Sequence, residues 1–315
     1  MRVFSMTTDF TIAMRCTESD TDFWAMRNML VATAPITPIG LNWDVRRLDG
    51  QRFYEADLAS SRLDRRPIGL WEARDDGLIG FVLAEGEGNA HLQVHPDYRW
   101  LESDMIDWAR EHLSIPAGES SQRQLEIYVN EYDSLRQRLL RERGFEKTEY
   151  WGVIRHMRLG KQVLAQPQLT PGYTMRATAP HELGDCQRVA DLLNQAFGRD
   201  FHNAQEYQNF TRFAPCFHEE LDLAAIAPDG SFAAYVGIPY DEVNRRGIFE
   251  PVCTHPDHRQ KGLAQALMRE GLLRLREKGA RAVTVDTGDM LPANRLYDSL
   301  GFTEAYRGFI WRWMG

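Results

Sequence analysis

The stretch that most resembles chemical equipment runs from His255 to Ala264 and carries Arg259, Gln260, Lys261 and Gly262. Residues 247–254 read as a strand and 262–278 as a helix, with Leu263, Ala266, Leu267, Gly271 and Leu275 at three- or four-residue steps. A strand that delivers the chain to a helix N-terminus presents unpaired amides and the positive end of the helix dipole, a combination suited to an anion. Gly262 would let a phosphate approach the backbone, small Ala264 keeps the next turn open, and Arg259 and Lys261 add positive charge. One glycine after a strand also fits an ordinary solvated turn. The loop lacks the Gly-Lys-Ser/Thr ending of a nucleotide P-loop and the three glycines of a dinucleotide fingerprint.

The elements around this loop occur twice. His95-Pro96-Asp97 recurs as His255-Pro256-Asp257, Met14-Arg15 as Met175-Arg176, and Gly144-Phe145 as Gly301-Phe302. The displacements lie between 157 and 161 residues, in the same order along the chain. Two copies of one domain are therefore expected, joined where Pro167 and Pro171 interrupt regular structure, which gives domains at 1–165 and 166–315. In the second copy a helix at 186–197 precedes a hairpin with its turn at Pro228-Asp229-Gly230. A short strand at 282–286, a helix at 292–300 and an alternating last strand at 309–314 follow. The expected class is α/β (α+β), each copy being a mixed central sheet flanked by helices.

In the first copy the turn is different. Arg99 stands opposite Arg259, but Glu102 replaces Gly262 and Asp104 replaces Ala264. Two carboxylates where a phosphate must meet backbone amides oppose it by charge and by bulk, although acids in a first helical turn suit the dipole. The first copy should keep its helix and lose its ligand, retaining an architectural role such as a wall of an acceptor cleft.

Composition narrows the partners. The chain has 315 residues, 43% hydrophobic and 26% charged, as expected of globular domains rather than of disorder. A formal charge of -8 argues against a broad nucleic-acid surface. No run approaches the roughly 20 apolar residues of a membrane helix, and residues 1–9 lack the apolar core of a secretory signal, so a cytoplasmic location is expected. The four cysteines form no Cys-x-x-Cys pair and the nine histidines no His-Glu-x-x-His arrangement, so no metal site is expected. Oligomeric state is not legible.

The stretch from Glu250 to Leu267 resembles the acetyl-CoA motif of the GCN5-related N-acetyltransferase (GNAT) superfamily, whose Arg/Gln-x-x-Gly-x-Gly/Ala pattern is met by Arg259, Gly262 and Ala264. The stretch from Ala293 to Phe302 is similar to its second signature, with Asn294, Leu296, Tyr297, Gly301 and Phe302. The resemblance covers most of 172–315 and implies two tandem GNAT-like domains, the first degenerate. It implies that backbone groups of Val252, Cys253 and Thr254 pair with the pantetheine arm. The turn of Arg259, Gln260, Lys261, Gly262, Leu263, Ala264 and Gln265 would hold the pyrophosphate, and Asn294 would contact the cofactor or fix the following helix. Tyr297 matches the family's thiolate-facing tyrosine, and Glu250 stands where relatives place an acidic group beside the acceptor.

Transfer of acetyl to an amine needs an unprotonated nucleophile, a polarised carbonyl and a stabilised leaving thiolate. Glu250 could act as base through water, whereas His255 and His258 sit toward the phosphates. Cys253 is read as a small buried residue rather than as an acetyl carrier. Phe201, Tyr207, Phe210 and Phe217 are candidates for the acceptor pocket. The expected activity is metal-free transfer of acetyl from acetyl-CoA to a primary amine of a small molecule, by direct attack in a ternary complex. The alternatives are a protein or peptide N-acetyltransferase and a non-catalytic acetyl-CoA sensor.

Overall fold

In both copies an arginine at the end of the first strand clamps the start of the first helix. Arg15 donates to both carboxylate oxygens of Asp22 at 2.6 and 3.0 Å, and Arg176 to both of Asp185 at 2.5 and 2.9 Å. These bidentate pairs fix strand to helix and hold both carboxyls down at about pKa 2. The His-Pro-Asp repeat is equally faithful. His95 Nδ1 accepts the Asp97 amide at 3.3 Å and His255 Nδ1 the Asp257 amide at 3.2 Å, each capping a 3-10 turn that starts with proline.

The computed structural model describes residues 3–4, 12–60, 62–118 and 121–315. Apart from Val3–Phe4, the N-terminal stretch read above for a leader lies outside them. Among the described residues no helix is long and apolar enough to cross a membrane.

The chain packs as two units. One comprises residues up to Leu48, Arg62–Val153 and Tyr306–Gly315; the other comprises Asp49–Ser61 and Ile154–Ala305. A single cut between residues 165 and 166 leaves three segments on the far side: 49–61 and 154–165 pack with the second copy, and 306–315 with the first.

In the first unit, Ile12–Cys16, Gly69–Ala73, Gly77–Leu83 and Asn89–Val94 are joined antiparallel in that order. Asn89–Val94 then runs parallel to Arg123–Asn130 over only Asn89↔Glu126 and Ala90↔Ile127. The other edge of Arg123–Asn130 takes the end of the chain antiparallel, from Gly308↔Asn130 to Met314↔Gln124. Trp311 of that segment is buried among Trp108, Ile127 and Phe145, while helix Glu102–Leu113 covers the sheet with Met105, Ile106 and Ala109.

In the second unit, Thr174–Ala177, Leu223–Ile226, Phe232–Val236 and Val252–Thr254 form an antiparallel sheet in that order. Arg246–Ile248 belongs elsewhere, running parallel to Ala282–Thr287, and the Phe249 amide makes the last bond across, to Thr284 at 2.8 Å. The strand expected over 247–254 is thus broken. Past the cis Glu250–Pro251 peptide the chain leaves Ala282–Thr287 and joins Phe232–Val236. Helix Leu263–Glu277 fills the core with Leu263, Leu267, Leu272 and Leu275 against Phe249, Val283 and Phe302.

Candidate active site

The break at residues 249–251 makes the site. Beyond it, among the described residues, Val252–Thr254 has a neighbouring strand on one side only. The His255 amide bonds Ala233 O at 2.9 Å, so the paired residue Thr254 turns its own N–H and C=O to the open side, as alternation in an antiparallel ladder requires. Val252 faces the same way, and Cys253 the opposite way, beside Tyr235, Cys186 and Leu192. Burial pushes the Cys253 thiol up to about 12, which leaves it without thiolate character.

The open edge leads into the turn. Gln260 (φ 61°) and Gly262 (φ 68°) are both left-handed, and Gly262 caps helix Leu263–Glu277. The amides of Leu263, Ala264 and Gln265 start that helix and have no intrahelical acceptor. A Cβ at residue 262 would meet no atom within 4 Å, so the space in front of the turn is open. The turn is pinned from behind. Arg259 donates to Ala196 O at 3.0 Å, Lys261 to Tyr173 Oη and Asp257 O at 3.1 Å, and Thr170 Oγ1 to Lys261 O at 2.8 Å. Tyr173 Oη also meets His258 Nδ1 at 2.8 Å, and Gln265 Nε2 donates to Ser299 at 2.9 Å. Thr170 and Tyr173 lie in and beside the segment read as a mere join; no spacing signal marks them.

Tyr297 lies on helix Leu291–Leu300, 5% exposed, with its ring edge-on to Phe302. Burial, then the charges of Asp286 and Glu250, pushes its phenol up to about 12. Glu250, in the break between Arg246–Ile248 and Val252–Thr254, and Asp286, in Ala282–Thr287, thus both act electrostatically on Tyr297. Asp286 was not singled out; its only signal was a charged residue ending an otherwise buried strand. Asn294 is fully used within the unit: its amide donates to Gly288 O and Met290 O, and its oxygen accepts from Arg155. It fixes the helix.

The aromatic candidates separate. Tyr207 is core, its hydroxyl on Asp222, which Thr178 and Tyr235 also bond. Burial raises Asp222 to about 6 despite those three donors. Phe201 is 55% exposed. Phe210 packs against Phe217 and against Tyr54, whose ring also meets His202, while Asn209 Nδ2 bonds Glu55 O at 2.7 Å. Residues of the first repeat thus contribute to this face of the second unit.

The first unit shows the same site filled by its own chain. Val94, the equivalent of Thr254, has its amide on Asn42 Oδ1 at 2.9 Å and its carbonyl on Asn42 Nδ2 at 3.0 Å. Gln93 Oε1 accepts the Trp43 amide at 2.7 Å and Asn130 Nδ2 donates to Gly40 O at 2.7 Å, so residues 40–43 are tied to both parting strands. At the turn, Glu102 is fully buried, accepting from Arg99 Nε at 2.6 Å and Arg136 Nε at 2.8 Å, with Asp133 completing the network at 2.6 Å from Arg99. No left-handed residue remains there; a 3-10 turn over Pro96–Leu101 runs directly into the helix. The candidate acid and base positions differ as well. Ala90 stands for Glu250, and Leu140 for Tyr297, each of the latter pair accepting the amide of the Gly-Phe phenylalanine, at 3.0 and 3.1 Å.

A sheet parted beside a helix N-terminus with unpaired amides, with a buried phenol and two carboxylates nearby, has the features of a site for an anionic donor. Residues 186–302 match the acetyltransferase (GNAT) family. Over 81 residues the chain is 32% identical to a streptothricin acetyltransferase of Streptomyces lavendulae, a match covering 25% of this chain and 43% of that protein. A GCN5-related N-acetyltransferase from Sphaerobacter thermophilus superposes with a TM-score of 0.61 at 19% identity, covering 96% of this chain and 95% of the other. A tandem GNAT protein from the clavulanic acid biosynthesis pathway gives 0.66 at 17% identity, covering 96% and 98%. Residues 186–302 thus resemble the GNAT acetyltransferase family, and the whole chain has the fold of a tandem GNAT protein.

Proposed function

We propose that the second unit transfers acetyl from acetyl-CoA to the primary amine of a small molecule, and that the first unit binds no acetyl-CoA. The observation that carries this reading is the contrast at Val94 and Thr254. An internal carboxamide takes the outward N–H and C=O of Val94, whereas those of Thr254 face an open edge leading to the turn. The residues present fit the donor. Val252 and Thr254 would pair with amides of the pantetheine arm, as Asn42 pairs with Val94. The amides from Gln260 to Gln265 would hold the pyrophosphate, with Arg259 and Lys261 adding charge nearby.

Bound there, acetyl-CoA supplies a thioester whose C–S bond breaks as the acceptor nitrogen bonds the carbonyl carbon. Tyr297 offers a hydrogen bond to the departing sulfur. With a phenol near 12 and an ordinary thiol near 8.5, full proton transfer would be uphill by about 5 kcal/mol, so Tyr297 acts as a fixed donor. Glu250 takes the proton lost by the amine, directly or through water. The relative named for acetylating streptothricin favours a small-molecule acceptor over a peptide.

Release of free thiol from acetyl-CoA across amines, polyamines, amino acids and peptides tests the reading. Turnover with a small amine supports it. Tight binding of acetyl-CoA with no thiol release from any acceptor points instead to a sensor.

A further inference from the structure

Helix Leu291–Leu300 carries Tyr297, yet little of the helix is buried: Tyr297 is its buried residue, whereas Leu291 is 58% exposed. Ala293, Leu296 and Leu300 pack half-buried against the core, and Gln265 holds Ser299. A residue from the end of the first repeat adds a polar clamp. Arg155 forks onto Asn294 Oδ1 through Nε at 3.1 Å and Nη2 at 3.0 Å, and its Nη1 meets the Asp298 carboxylate. Nη1 also reaches Phe302 O at 3.4 Å, just past the helix end. Asn294 and Asp298 are one turn apart and bracket Tyr297, so a single planar guanidinium holds the helix on both sides of the phenol. The Arg155 side chain is only 15% exposed, which protects these bonds from competing water. Two residues on, Met157 is buried in the same core as Tyr297 and packs under Gly301.

We propose that Arg155 is a positioning residue for Tyr297: it sets the rotation of the helix and thereby aims the phenol at the leaving sulfur. The proposal rests on Tyr297 acting as the donor described above. It also gives the first repeat a task in the second unit's chemistry, through a contact that neither signature contains.

A double-mutant cycle over Arg155→Gln and Tyr297→Phe in the full chain, read as kcat and KM for acetyl-CoA, tests it. Arg155→Gln is expected to lower kcat about tenfold with KM within twofold, since misplacement of a reacting group acts mainly on turnover. Added to Tyr297→Phe it should cost nothing further, because there is no phenol left to aim. Arg155→Lys keeps a charge for Asp298 but cannot fork, so it should fall between; it carries the test if the glutamine variant fails to fold. Unchanged kcat in the Arg155 variants, or losses that multiply with that of Tyr297→Phe, would overturn the positioning role alone. A Tyr297→Phe enzyme with parental turnover would overturn both this role and the donor reading beneath it.

Discussion

Replacing Glu102 by glutamine removes the charge that stands in the first unit where the second presents open amides. Glu102 is completely buried, and the Arg136 side chain that it neutralises is 5% exposed. Removing one partner of such a pair leaves a charge in a poor solvent and costs about 3–5 kcal/mol. Asp133 still faces both Arg99 and Arg136, which places the expected loss at the lower end, about 3 kcal/mol. For a unit of roughly 150 residues this is a fall in melting temperature of about 6–12 °C. All eight tryptophans belong to the first unit, so intrinsic tryptophan fluorescence follows its melting specifically. Acetyl-CoA affinity, a property of the second unit, should be unchanged in the folded variant. With Glu102→Gly, pyrophosphate should raise the tryptophan-detected melting temperature, because an anion regains a place between Arg99 and Arg136; the parent should not respond. A shift below about 2 °C for the glutamine variant, or pyrophosphate stabilising parent and glycine variant alike, would refute the idea that this carboxylate substitutes for a bound anion.

Tyr297→Phe should lower kcat about a hundredfold with little change in acetyl-CoA affinity, measured by steady-state kinetics beside calorimetry. The phenol is the donor while protonated, and its raised pKa of about 12 extends that state above the ordinary 10. Turnover should therefore show no alkaline loss from this group up to pH 10, and a fall centred near pH 10 would contradict the assignment. Cys253→Ala should retain at least half the parental turnover, since a buried thiol raised to about 12 is no acetyl carrier; more than a hundredfold loss without unfolding would revive that role. Removal of residues 306–315 strips the first unit of a seven-residue strand pairing and of buried Trp311, so the shortened chain should lose its cooperative tryptophan-detected transition. A chain reduced to residues 166–315 also lacks Arg155, Met157 and the 49–61 segment of the second unit, and it should be inactive; full activity would show that those segments are dispensable.

Much of the architecture was legible because each signal was local. The duplicated His-Pro-Asp turn, the amphipathic run from Leu263 and the glycine at residue 262 each act within a few residues, and each has its structural counterpart here. The replacement of Gly262 by Glu102 was equally readable as a charge conflict. What the sequence lacked was the partner of that charge, because Arg136 lies 34 residues away and nothing in its spacing points to a buried network. Asn42 is a similar case. Its carboxamide imitates an amide of a ligand, and only the parting of strands Asn89–Val94 and Arg123–Asn130 creates the place for it. The strand over 247–254 reads as continuous across Glu250 and Pro251, while its change of partner there depends on which neighbour each half meets. The segments 49–61, 154–165 and 306–315 carry no local mark of the unit they join; for the strand in 306–315 this is because a strand's edge is satisfied by any backbone in register.

The central claim is that one chain offers one acetyl-CoA site, in its second unit. Isothermal titration of the full chain with acetyl-CoA tests this most directly, with Gly262→Glu as the comparison. A glutamate there would sit at φ +68°, a strain of about 1–2 kcal/mol, and would bring into the open turn the charge that the first unit carries at Glu102. A stoichiometry of one is expected for the parent and no measurable binding for the variant. Two sites per chain, or equal affinity in parent and variant, would contradict it.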